Sequence, residues 1–202
     1  MSHITVLNNT PEVVRIAIFK HAVVNPTLAT TAWRVAEPPP GGQATVTVPP
    51  SYTIYGKYST DAANPSRLDA ETADESFAET TAAFSIEAVS SRDQNAPNVV
   101  IRRYFDDLVM NEVRIFNNYG LGVLTAIAMD RYPIFTPQVI WPGGLFIEDL
   151  RGPLYAALVS QPTNPGQRLI QEEISLTQVE LLESSTLIVS GSIWTGYALE
   201  VE

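Results

Sequence analysis

Tyr52, Tyr55 and Tyr58 recur at every third position in this 202-residue chain. That spacing fits neither the two-residue repeat of a strand nor the repeat of a helix, so at least one ring should reach a loop or solvent. Trp33 and Trp141 occupy comparable places in the two halves of the sequence, and Tyr155, like Tyr52, stands two residues after a proline. Aromatic rings of this kind stack on sugars or anchor interfaces, although filling a core is their commoner work. The ligand-binding candidates are therefore Trp33, Tyr52, Tyr55, Tyr58, Trp141 and Tyr155, with Trp194 in the last apolar run.

Catalytic candidates are sparser. Only two histidines occur, His3 near the start and His21 after Lys20 at a strand end. A serine triad would need one of them, and no Gly-x-Ser-x-Gly turn is present to carry its serine. The adjacent acids Asp106-Asp107, Glu148-Asp149 and Glu172-Glu173 would point to opposite faces of a strand. Glycoside hydrolysis needs two carboxyls facing one cleft at about 5 to 10 Å, so solvated charge is the expectation. Asp61-Ala62-Ala63-Asn64 and Asp69-Ala70-Glu71, with Asp74-Glu75 nearby, approach the oxygen spacing of a weak calcium loop without completing one. With no cysteine in the chain, thiolate sites and disulfides are excluded. The reading is no enzyme, no metal site and no cofactor.

Composition narrows the partners. Twenty-two acids against 12 bases give a net charge of −10, which repels nucleic acid backbones and anionic bilayers. A hydrophobic fraction of 45% with 17% charged residues describes a globular chain with a real core. No run approaches the roughly 18 apolar residues of a membrane span. The first residues lack the charged-then-apolar pattern of a secretory signal, so a cytoplasmic location is expected.

The elements that would position these residues are strands. Ile4 and Val6 alternate with Thr5 and Leu7, as do Val14, Ile16 and Ile18 with Arg15 and Ala17, and Ala44 to Val48 repeats the pattern. Fifteen prolines and 11 glycines punctuate these runs. The pattern predicts an all-β protein of antiparallel, sandwich-like units.

The pattern also occurs twice. Residues 4–18 align with 113–127 at an offset of 109, with five identities in 15 positions: Asn8 on Asn117, Asn9 on Asn118, Val14 on Val123, Ala17 on Ala126 and Ile18 on Ile127. Pro40-Gly41-Gly42 then matches Pro142-Gly143-Gly144, and Pro50-Ser51-Tyr52 matches Pro153-Leu154-Tyr155. Further on, Phe84-Ser85-Ile86 resembles Ile174-Ser175-Leu176, and Val99-Val100-Ile101 resembles Leu187-Ile188-Val189. The expectation is two diverged sandwich-like units, 1–108 and 109–202, with a two-fold relation, either separate or sharing one pair of sheets. Asn-Asn and Pro-Gly-Gly read as turns, since asparagine and glycine tolerate positive φ. Residues 59–83, rich in acids, read as an insertion in the first unit, with a short surface helix over Ala70 to Ala83 and a shorter counterpart at 161–166.

The order of elements across residues 1–60 resembles the rhizosphere-expressed RhiA type proteins of soil bacteria. The shared features are Val6-Leu7-Asn8-Asn9, Ile16-Ala17-Ile18-Phe19, Ala32-Trp33, Pro40-Gly41-Gly42 and Tyr52-Thr53-Ile54-Tyr55. Tyr55-Gly56-Lys57-Tyr58 stands where that family carries another tryptophan. The resemblance implies a β-rich, non-catalytic protein.

Two functions fit this reading. One is a binding or self-assembly protein with two related β surfaces, lectin-like, whose partner is a glycan or another copy and whose two sites gain by multivalency. The other is a small-molecule binder or enzyme with its pocket between the units, for which Tyr132, Trp141 and Tyr155 would be lining residues.

Overall fold

The computed structural model describes residues 2–89, 97–106, 108–160, 162–170, 174 and 178–202. Its named elements are all strands. In the first half they are β1 (Ser2–Asn8), β2 (Ile16–Phe19), β3 (Arg34–Ala36), β4 (Gln43–Val48), β5 (Tyr52–Tyr58), β6 (Ala70–Glu71), β7 (Glu75–Phe77), β8 (Ala82–Val89) and β9 (Asn98–Tyr104). The second half holds β10 (Val113–Asn117), β11 (Val123–Met129), β12 (Tyr132–Pro133), β13 (Gln138–Ile140), β14 (Leu145–Glu148), β15 (Leu154–Leu158), β16 (Val179–Leu181), β17 (Thr186–Ser192) and β18 (Gly196–Val201).

Among the described residues four sheets form, ordered β18-β17-β1-β4, β9-β8-β10-β14, β3-β2-β15-β16 and β13-β11-β5-β7, the last extended by β12 on β11 and β6 on β5. Every sheet takes strands from both sides of residue 109. The two units expected from the sequence are therefore interleaved at the level of hydrogen-bonded pairs and do not stand as separate sandwiches.

The pairings themselves come in matching sets. β1 lies parallel to β17 with Thr5 opposite Thr186, and β10 lies parallel to β8 with Arg114 opposite Ala83. β1 pairs antiparallel with β4 as β10 does with β14. β2 pairs with β15, and β5 with β11, again antiparallel. In these sets β1 and β2 correspond to β10 and β11, as the sequence alignment has it. Farther on, the registers differ from that alignment. Tyr52 corresponds to Leu154 and Thr53 to Tyr155, because Ala128 lies opposite Thr53 as Phe19 lies opposite Tyr155. Phe84-Ser85-Ile86 corresponds to Leu187-Ile188-Val189, both segments lying parallel beside the strand that opens the other half. Ser175 and Leu176, in the segment aligned with Phe84-Ser85-Ile86, lie outside the described residues, as do Gln161, Asp107, Glu172 and Glu173.

Residues 59–83 hold the short strands β6 and β7 and the start of β8, with no helix. Glu75-Ser76-Phe77 pairs with Tyr52-Thr53-Ile54, and this edge pairing drives Phe77 into the core at 2% exposure. A helix there would forfeit that burial, and the alternation Glu-Ser-Phe already has strand period. The chain from Tyr58 to Glu75 is no longer than that from Leu158 to Val179, which joins the corresponding strands of the second half.

One principal core joins Ile4, Val6, Ile16, Ile18, Trp33, Ile54, Phe84, Ile86, Val113, Ile115, Ile127, Leu187 and Val189, so all four sheets give it a face. Val14 and Val123 are both buried in it. A smaller core on the other face of β2 and β15 holds Ala17, Phe19, Ala32, Ala157, Val159, Leu169 and Ile174. β2 is therefore buried on both sides, which is why Ile-Ala-Ile-Phe is apolar without interruption.

Candidate functional site

The sequence-predicted aromatics do not converge. Trp33 is fully buried, and its indole Nε1–H donates to the Met129 carbonyl at 2.7 Å, so it fills core and satisfies its polar atom there. Tyr58 is buried edge-on to Tyr119, with ring centroids 6.0 Å apart, and its hydroxyl accepts from the Val99 amide at 3.3 Å. Tyr55 is half-buried on β5, where burial and then the carboxylates of Glu71 and Asp74 raise its pKa. Tyr155 stacks on Phe19 at 6.0 Å and packs against His21 at 4.7 Å. Trp141 is 67% exposed on the turn after β13 and packs beside Gly122. Tyr132 lies under the Arg34 guanidinium, 4.5 Å from ring centre to Cζ.

The two histidines serve the fold. His21 Nε2 bonds Gln178 Oε1 at 2.7 Å, and His3 sits inside β1 with Nδ1 3.3 Å from Thr47 Oγ1, paired and not frayed.

The acids are also structural. Asp61 accepts from Asn64 and from the Ala63 amide, in that order of effect on its lowered pKa, and Asp69 accepts from the Thr60 amide and hydroxyl. Asp61 thus closes its own turn, and Asp69 ties together the two ends of the loop 60–69. Among the described residues no group of three His, Asp or Glu side chains converges as metal ligands would. Glu148, expected in water, is fully buried. Its carboxylate accepts from the amides of Val23 at 2.7 Å, Val24 at 2.8 Å, Asn25 at 3.2 Å and Asp149 at 3.0 Å. Four donors compensate its lost hydration, since a buried charge is tolerated only when its lone pairs are satisfied.

One aromatic, Tyr52, does border a cavity. This hollow of about 690 Å³ lies where the β4–β5 connection of the first half meets the β14–β15 connection of the second. Val48, Pro49 and Pro50 wall one side, and Leu150 through Leu154 wall the other. Ser2 and Ile4 of β1, Ala78 and Thr80 after β7, Met129 closing β11, and Glu180 through Glu183 complete it. The volume is in the range of small-molecule sites.

Lys20 is the polar residue that sequence reasoning passed over. It follows the apolar run Ile16-Ala17-Ile18-Phe19, lines the cavity and is 5% exposed. Its ammonium donates to the Gly152 carbonyl. Burial pushes its pKa down from 10.5 to about 8, against a smaller opposing pull from Asp149. The signal is in the sequence: a lysine directly after an uninterrupted apolar strand places a charge beside the core. Tyr52 donates to the Leu150 carbonyl at 3.2 Å, and burial raises its pKa to about 12. Arg151 is held by Asp149, with Nη2 2.7 Å from Oδ2 and Nε 3.0 Å from Oδ1, so its charge is already matched.

Met129 stands at the position corresponding to Lys20, at the matching end of β11, and also lines the cavity. It is 3% exposed. The same backbone place thus carries a thioether in one half and an ammonium in the other. A second hollow of about 710 Å³ is lined by His21, residues 26–30 and residues 168–170. Its ionisable lining side chains are His21, which bonds Gln178, and Arg168.

No helix among the described residues is long and apolar enough to cross a membrane. No protein-family model matches the chain, and neither a curated protein nor a solved structure matches it.

Proposed function

We propose that this chain is a non-enzymatic small-molecule-binding protein that takes its ligand in the cavity between the two interleaved halves. The carrying observation is that cavity, walled by apolar groups from both halves, with Lys20 as the cation among its described lining residues that no carboxylate neutralises in a direct ion pair. A buried ammonium has three donors and here uses one on Gly152. The remaining capacity favours a ligand with an acceptor atom on an apolar body.

We also infer that the halves descend from one duplicated unit. The matched pairings and the correspondence of Asn8 with Asn117 support this. Divergence at Lys20 and Met129 would then be what specialised the cavity. The resemblance of residues 1–60 to RhiA type proteins agrees with a non-catalytic role and adds no residue to the site.

The neutral fluorophore N-phenyl-1-naphthylamine tests the cavity, since its emission rises on leaving water. The wild type should enhance its fluorescence saturably, and Ala78→Trp, which fills the cavity from an exposed position, should abolish the enhancement. Equal enhancement in both proteins would remove the cavity from the account.

A second reading, self-association, is favoured by the β17–β18 hairpin tip, where Ile193 is 70% and Trp194 91% exposed. Light scattering across concentration tests it, with Trp194→Ser as the control. The net charge of −10 opposes it.

A further inference from the structure

We propose that Lys20 captures a neutral aldehyde or ketone in this cavity as an imine. This inference rests on the cavity being the ligand site and names the class of ligand it takes.

The electrostatics favour a neutral carbonyl compound over an anion. Arg151 is neutralised by Asp149, and Glu180 and Glu183 add two carboxylates to the lining. An entering carboxylate or phosphate would meet the Lys20 cation and two like charges on a protein of net charge −10. A carbonyl compound meets no such opposition.

Lys20 is also suited to covalent capture. An amine adds to a carbonyl only through its unprotonated nitrogen, and desolvation in an apolar pocket is the usual way a protein supplies one near neutral pH. Lys20 keeps only 5% of its surface exposed, and its pKa of about 8 leaves roughly a tenth of it neutral at pH 7. Asp149 is the charged group that acts on Lys20 and keeps part of its charge in place, while Tyr52, Arg151, Glu180 and Glu183 line the same cavity.

Met129 sharpens the point. The corresponding position of the other half is filled by an apolar chain of similar length, so the backbone at this place does not require a charge. Burying an ammonium with one hydrogen-bond partner costs stability, and a use for the amine accounts for a lysine at this place.

In the step itself, the lone pair of Nζ adds to the carbonyl carbon and the C=O π electrons move to oxygen. Both amine hydrogens then leave with that oxygen as water, and the C=N bond forms. No oxidant or reductant takes part.

The chain has only two lysines, and Lys57 is exposed on β5, so it serves as an internal reference. Hexanal and benzaldehyde are incubated separately with the full chain and cyanoborohydride at pH 7, and the trapped adducts are mapped by peptide mass. Binding of 1-hexanol, which has the chain without the carbonyl, is followed in parallel by ligand-observed NMR. Lys20 should be alkylated at least about tenfold faster than Lys57, and Lys20→Met should lose that adduct while Lys57 is alkylated at its wild-type rate. Hexanol binding with Lys20 alkylated no faster than Lys57 would overturn imine capture and leave the cavity reading intact. Absence of both adduct at Lys20 and hexanol binding would overturn the two together.

Discussion

Asn8 and Asn117 make the same hydrogen bonds from corresponding backbone positions in the two halves. Asn8 Nδ2 donates to the carbonyls of Glu12 at 2.7 Å and Pro38 at 3.0 Å, and its Oδ1 accepts from the Thr10 amide at 3.0 Å. Asn117 Nδ2 donates to Leu121 at 2.8 Å and Ile140 at 2.7 Å, and its Oδ1 accepts from the Tyr119 amide at 2.9 Å. Their main chains agree too, Asn8 donating to Gly42 and Asn117 to Gly144 at 2.9 and 3.0 Å. Both are buried. Asparagine suits the position because one planar amide offers two donors and an acceptor to three backbone groups around a buried side chain.

Asn8→Ala and Asn117→Ala should each destabilise the fold by about 2 to 4 kcal/mol, through the carbonyls left unsatisfied. Urea denaturation gives the two values, and they should be similar. A large cost at one site with none at the other would remove the equivalence.

Trp33→Ala should cost about 3 to 5 kcal/mol, as for other buried tryptophans. Trp33→Phe keeps most of the apolar area and leaves the Met129 carbonyl without its donor, so its cost should be smaller, about 1 to 3 kcal/mol. Thermal and chemical denaturation of the two variants separate packing from hydrogen bonding. An unchanged melting temperature in Trp33→Ala would mean that the ring is not core.

Glu148 pins the segment 23–25 through charge-assisted bonds. Glu148→Ala should cost about 3 to 5 kcal/mol because several buried donors lose their acceptor at once. Glu148→Gln can keep Oε1 and should cost less, while its amide group opposes the Asn25 N–H. Hydrogen exchange at Val23, Val24 and Asn25 should accelerate in both variants and most in the alanine one.

Lys20 sets a pH dependence. Its folded pKa, about 8, lies below its ordinary value of 10.5, so between these values the unfolded chain binds the extra proton. Stability from this group is therefore lowest below about pH 8 and rises as pH climbs towards 10.5, by on the order of 3 kcal/mol in all. Tyr52 acts oppositely from about pH 10 upward, since its folded pKa near 12 means that the unfolded chain loses its proton first. Lys20→Met should be more stable than the wild type at pH 7, with the gap narrowing by pH 9.5. A gap independent of pH would show that Lys20 is not titrating from a buried state.

Much of the scaffold is legible in the sequence, because strand alternation is a local property. Ile4, Val6, Leu187 and Val189 point inward as their period demands. What escapes is non-local. Nothing within Ile4 to Asn8 announces that its parallel neighbour is Thr186 to Val189 and not a strand of its own half. The expected helix over Ala70 to Ala83 fails for the same reason, since Phe77 gains its burial only from pairing with β5. At the site, aromatic residue type is a poor guide, since Tyr52 alone of the six candidates borders the cavity. Lys20 and Glu148 both interrupt apolar runs, and that local conflict is the signal a sequence offers for a buried charge.

The most direct test of the ligand site is an amide chemical-shift map of the ¹⁵N-labelled chain titrated with 1-hexanol. The cavity account predicts saturable shifts confined to Lys20, Met129, residues 150–152, Leu154 and Leu181. Shifts gathered instead around Trp141 or the Trp194 hairpin, with Lys20 and Met129 unmoved, would contradict it.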